Sequence, residues 1–190
     1  MPKSIVLIGD SLRLHYEPLV AAALTGEAIV WGPPENCGTS RNIRDRLGAW
    51  IIGRDTDVIH VNCGLHDLRI DPGCDGPTVP PAEFAENVSV ILGTLLAETR
   101  SKVVWATLTP INEAWHQAHR ASRRYEADVM TYNDIGRRVA LNLNVRVNDL
   151  FDAVQRAGPD TLLKHDGVHF TDDGYRFLAQ QVTSAVRSVL

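Results

Sequence analysis

Several short stretches of the chain bring together side chains capable of covalent chemistry. The apolar run Ile5 to Ile8 leads straight into Gly9-Asp10-Ser11. Gly, Asp and Ser suit an ordinary turn followed by a helix N-cap. A serine held at the end of a buried strand also suits a nucleophile, provided a neighbouring base takes its proton. Far along the chain, Lys164-His165-Asp166-Gly167-Val168-His169-Phe170 sets an acid three residues before a histidine. Between them lie Asn36-Cys37-Gly38-Thr39-Ser40, Cys63-Gly64-Leu65-His66-Asp67, and Thr107 with Thr109 and Pro110. Small, polar and titratable residues collect at these places, while the segments before them are apolar. Turns account for part of that pattern. A purely structural sheet would not need all of it.

The segments that would hold these residues in place are short and regularly spaced. Strands are predicted over Ser4–Ile8, Ala28–Trp31, Asp57–Asn62, Lys102–Leu108 and Val145–Asn148. Helical spacing of apolar residues covers Tyr16–Leu24, Ile43–Ile52, Pro81–Thr99 and Tyr125–Leu143. A last helix is predicted over Thr171–Val189, with Thr171 as N-cap and Asp172 and Asp173 at the positive end of its dipole. The Gly- and Pro-rich stretch 73–81 is the longest loop. Strands alternating with helices predict parallel βαβ units, hence one open parallel sheet of about five strands in a three-layer αβα domain over residues 1–190. Ligand crevices of such sheets lie outside the carboxyl ends of the strands, where the polar clusters fall.

GDS after the first strand, Gly38 after the second, G-x-x-D after the third and D-x-x-H before the last helix together resemble the SGNH, or GDSL-type, hydrolase superfamily. The resemblance spans essentially the whole chain. It implies a flavodoxin-like fold and a serine esterase, lipase, thioesterase or carbohydrate deacetylase needing no metal or organic cofactor. It also implies roles. Ser11 attacks, His169 takes its proton, and Asp166 holds the imidazole tautomer and stabilises its charged form. The backbone N–H groups of Ser11 and Gly38 are the implied oxyanion donors, and glycine permits close backbone approach to substrate. Losing one such donor costs about 3–4 kcal/mol.

The third donor is where the chain departs from the family pattern G-x-N-D. Here the block reads Gly64-Leu65-His66-Asp67. A neutral imidazole has one N–H to offer, so His66 can take the place of the usual asparagine. Asn62 is a substitute donor at a different depth, and Asp67 is expected to be structural. Asp10, Leu12 and Arg69 are expected to contact substrate. The other cleft walls are expected from Arg13, the 33–41 and 69–80 loops and the 111–124 segment. Arg69, Arg120 or Arg123 could grip a carboxylate or phosphate.

The remaining histidines and cysteines have plainer readings. His60 suits a core position, His165 a solvent-facing one, and His15 could face the cleft. His116 and His119 lack a third metal ligand at suitable spacing. Cys37 and Cys63 have no obvious base partner. Three cysteines without close pairing fit a reduced, cytoplasmic compartment better than a disulfide scaffold. With a net charge of −4, no nucleic-acid partner is expected. The arginine clusters 41–46 and 120–124 read as solvated faces. No run approaches the roughly 18 apolar residues of a membrane span, and Ile5 to Ile8 is too short for a signal peptide. The expected partner is a small ester. A homo-oligomer, an acyltransferase using the same serine, or a weakly catalytic binding protein of the same fold all stay compatible with the sequence.

Overall fold

A computed structural model describes residues 2–190. The strands β1 (Lys3–Ile8), β2 (Ala28–Trp31), β3 (Val58–Val61), β4 (Lys102–Ala106) and β5 (Arg146–Asn148) form one parallel sheet in the order β2-β1-β3-β4-β5. In β1, Ile5, Val6, Leu7 and Ile8 are all buried, as are Val58, Ile59 and Val61 in β3. These strands show no two-residue alternation because helices cover both faces of the sheet. Ile8 lies opposite Val61, and Val61 opposite Trp105, so β1, β3 and β4 end nearly level with one another. Whatever follows them is delivered to one edge of the sheet. The chain reverses its direction of winding between β1 and β3, which opens a crevice there.

The helices are α1 (Ser11–Ala23), α2 (Ser40–Trp50), α3 (Pro81–Glu98), α4 (Glu113–His119), α5 (Glu126–Asn142), α6 (Leu150–Ala157), α7 (Pro159–Leu162) and α8 (Asp172–Arg187). One layer is built from α1 against α8, with α6 and α7 beside α8. In the other layer α2 packs on α3 and α3 on α5.

The structure departs from the sequence reading at several ends. Helix α1 starts at Ser11, not Tyr16. The Asp10 carboxylate accepts from the Leu12 N–H at 2.9 Å, and buried Leu12, Tyr16 and Val20 extend the apolar stripe back to the cap. Helix α4 has no counterpart in the sequence pattern, because His116 is its one buried residue and no apolar stripe marks it. Helices α6 and α7 are also additions, although their punctuation is in the sequence. Asp149 caps α6 through the Asp152 N–H at 3.1 Å, and Gly158, at φ 88°, separates the two. The last strand begins at Arg146 rather than Val145.

Candidate active site

Ser11 sits where β1 gives way to α1. As the first residue of the helix, it has an N–H without an acceptor inside α1. Its Oγ lies 3.1 Å from Nε2 of His169, a residue 158 positions further along the chain. His169 and Asp166 share the loop before α8, and His169 Nδ1 donates to Asp166 Oδ2 at 2.6 Å. The other carboxylate oxygen accepts from the backbone N–H groups of His169 at 2.9 Å and Val168 at 3.1 Å. Partial burial, the largest single influence, works against the charged carboxylate. The His169 imidazole and the two backbone donors together outweigh it and hold the Asp166 carboxyl well below the usual range. Asp166 therefore stays ionised and favours the tautomer that leaves Nε2 free to accept the serine proton.

Several contacts hold the loop that carries this pair. Leu163 and Phe170 bridge its two ends, and the Lys164 N–H donates to His169 O at 2.7 Å. Gly167 has φ +73°, and a Cβ there would lie 2.3 Å from Asn112 O and 2.6 Å from His116 N. Glycine lets this turn seat on the start of α4. The opposite wall is pinned too, where Ile70 and Arg123 exchange backbone hydrogen bonds at 2.9 and 2.8 Å.

Between the walls is a cleft of about 310 Å³ at the crevice between β1 and β3. Asp10, Ser11, Leu12, His66, Arg69, Asp166 and His169 all line it, together with Asn36, Leu65, His116, Arg120, Ser122, Arg124 and Val168. His66 follows β3 and is partly buried. Burial lowers its pKa, and Arg124, Arg69 and His169 add to that, against the opposing pull of Asp10. At neutral pH the ring is uncharged, with one N–H to give.

Several expected residues are placed elsewhere. The Gly38 N–H donates to Asn36 Oδ1 at 2.8 Å, and Gly38 is absent from the cleft lining. The neighbouring carboxamide takes that N–H, so Gly38 presents no free donor in this structure. Asn62 is no substitute donor, since its amide is buried and bonds Ala106 O at 3.1 Å and Thr107 O at 3.0 Å. Asp67 accepts from the Ser40 N–H at 2.9 Å and from the Ser40 hydroxyl, fastening the loop after β3 to α2. Burial raises its pKa to about 6 despite those bonds. Arg13 is buried outside the cleft lining and paired with Glu17 at 2.8 Å. His15 donates to Ser11 O at 2.7 Å and stacks on Tyr175 at 4.7 Å, also outside the lining.

Residues 8–177 match the GDSL-like lipase/acylhydrolase family. The chain belongs to that family. As a GDSL-like acylhydrolase it is an ester-hydrolysing enzyme. Similar solved structures include a lipase/acylhydrolase from Enterococcus faecalis, 21% identical over 98% of this chain and 96% of that one, with a TM-score of 0.79. An acetyl xylan esterase is 21% identical over 96% of this chain and 99% of that one, with a TM-score of 0.75. A GDSL-like lipase from Bacteroides thetaiotaomicron is 17% identical over 99% and 89%, with a TM-score of 0.77. These likenesses show a shared fold. No curated protein matches the chain.

Two residues of this GDSL-like site lie in the 111–124 segment expected to wall the cleft, but their contacts are not legible in the sequence. His116, which has no third metal ligand at suitable spacing, has Nδ1 3.2 Å from Asp166 O and Nε2 3.2 Å from Arg124 Nη1. Arg124, which reads as part of a solvated face, is instead 8% exposed, and its Nε donates to Leu65 O at 2.8 Å. Neither carries a local signal, because each is buried only when the segment joining α4 to α5 folds over the cleft. Among the described residues, no helix is long and apolar enough to cross a membrane.

Proposed function

We propose that this chain hydrolyses small, polar-headed esters through a Ser11–His169–Asp166 triad and an acyl-enzyme. The observation that carries the reading is the continuous line from Ser11 Oγ to His169 Nε2 at 3.1 Å and from His169 Nδ1 to Asp166 at 2.6 Å, opening on the cleft. Ser11 Oγ attacks the ester carbonyl as His169 Nε2 takes its proton. The resulting oxyanion is met by the Ser11 N–H and by His66. His169 then gives the proton to the departing alcohol, and water repeats the sequence to release the acid. Asp166 stabilises the imidazolium while each tetrahedral species lasts.

The modest cleft and its mostly polar lining support a short acyl group, such as acetyl, on a polar alcohol or sugar over a long-chain lipid. Three free cysteines, two of them buried, are compatible with a cytoplasmic setting. A serine-directed fluorophosphonate tests the triad without knowledge of the natural substrate. Stoichiometric labelling at Ser11, abolished by His169→Ala, is the expected outcome. A folded wild-type protein that takes up no label would overturn the reading.

A further inference from the structure

The cleft beside Ser11 is lined by three arginines, one of which has no carboxylate partner among the described residues. Arg69, Arg120 and Arg124 all line it, against the carboxylates Asp10 and Asp166. Asp166 is engaged by His169 and by Arg120, whose Nη2 lies 3.1 Å from Oδ2. Asp10 caps α1. Arg69 pairs with Asp71 at 2.8 Å. Arg124 differs from the other two. It is 8% exposed, and it makes no ion pair among the described residues. Its hydrogen bonds go to neutral acceptors, Leu65 O at 2.8 Å and His116 Nε2 at 3.2 Å.

A buried guanidinium without a carboxylate is costly, because it gives up hydration without an opposite charge to replace it. Its surroundings compound the cost. Burial, followed by Arg69, pushes the Arg124 pKa down to about 10, with Asp10 and Asp71 pulling the other way. A hydrogen-bonding strut between Leu65 and His116 does not require a permanent charge. A guanidinium facing a substrate cleft does suit an anionic oxygen group, which it can bind through paired N–H donors.

We propose that the preferred ester carries an anionic oxygen group, a carboxylate or a phosphate, that is bound by Arg124 with Arg69 and Arg120 at the rim. This rests on the esterase reading above and adds the charge of the substrate to it. Arg124 then selects substrate, while the triad performs the same steps on any ester that fits.

The test compares anionic esters with neutral isosteres. 4-Nitrophenyl hemisuccinate is set against 4-nitrophenyl methyl succinate, placing the charge on the acyl side. 4-Acetoxybenzoate is set against its methyl ester, placing it on the alcohol side. At low salt, kcat/KM for the anionic member of at least one pair is expected to be higher by about tenfold or more. The preference should shrink as sodium chloride is raised and largely disappear in Arg124→Gln. Inorganic phosphate and succinate, tried as competitive inhibitors, distinguish a phosphate from a carboxylate. The ratio is the readout, because loss of the Leu65 and His116 contacts alone would slow both members of a pair alike. Equal turnover within both pairs, or a preference that survives Arg124→Gln, would overturn the proposal. Should that variant fail to fold, the salt dependence and the two inhibitors decide the matter on the wild-type protein. Absence of fluorophosphonate labelling would instead remove the esterase reading beneath it.

Discussion

At the residue scale, His66 stands where the family pattern has asparagine. It lines the cleft, and burial keeps its ring neutral near pH 7. A neutral imidazole offers one N–H where a carboxamide offers two. If that N–H meets the oxyanion, His66→Ala should lower kcat by more than about tenfold, and His66→Asn should retain or raise it. Steady-state kinetics on one nitrophenyl ester would check both variants. Two silent substitutions would remove His66 from the oxyanion hole. The neighbouring residues were legible to different degrees. Ser11, Asp166 and His169 stand out by type and spacing. Nothing local to Gly38 announces that Asn36 accepts its N–H, because that bond depends on how the loop after β2 closes.

At the element scale, the site depends on how two loops meet short helices. The turn at Gly167 rests against the start of α4, and the Asn112 N–H donates to Gly167 O at 2.8 Å. Gly167→Ala would bring a Cβ to 2.3 Å from Asn112 O in a backbone conformation that side chains rarely adopt. The loop must move, and it carries both Asp166 and His169. Activity should fall by an order of magnitude or more, with a loss of stability of about 1–3 kcal/mol. Kinetics and urea unfolding of the variant would check this, and unchanged values in both would show that the turn tolerates the shift. The long helices were legible because each repeats apolar residues on one face. Helix α4 was not, since its place is set by Asn112, which caps the Trp115 N–H at 3.0 Å, and by the contacts of His116.

At the scale of the whole molecule, two buried groups pull stability in opposite directions with pH. His60, inside β3, is fully buried, and its Nε2 accepts from the Asn148 amide at 3.1 Å. Burial lowers its pKa from 6.5 to about 4. The unfolded chain therefore binds a proton near pH 6.5 that the folded protein refuses until about pH 4. Its contribution is present above pH 6.5 and is lost as pH falls toward 4, by about 3 kcal/mol in all. Asp67 acts with the opposite sign. Its raised pKa of about 6 favours the folded state at low pH, and that advantage fades as pH rises through 6. The two partly offset each other in the wild type, so His60→Asn is the useful comparison. The stability gap between wild type and variant, read from urea unfolding, should narrow steadily from pH 7 to pH 4. Parallel curves would show that His60 takes up its proton over the same pH range in the folded and the unfolded chain.

Architecture and main chemistry follow from the order of residues alone. Regular alternation of apolar strands with amphipathic helices dictates a layered parallel sheet, and such a sheet gathers the residues after its strands at one edge. That is why Ser11 could be placed at this edge from the sequence, while its pairing with His169 came from the resemblance to SGNH hydrolases. What surrounds them is a matter of the folded chain. Whether Arg124 is solvated or buried, whether Gly38 has an N–H to spare and whether His116 supports Asp166 depend on loops meeting across the cleft. Periodicity reports which face of a regular element is buried. It carries no information on contacts between irregular segments far apart in the chain, and those contacts set the charge of this site.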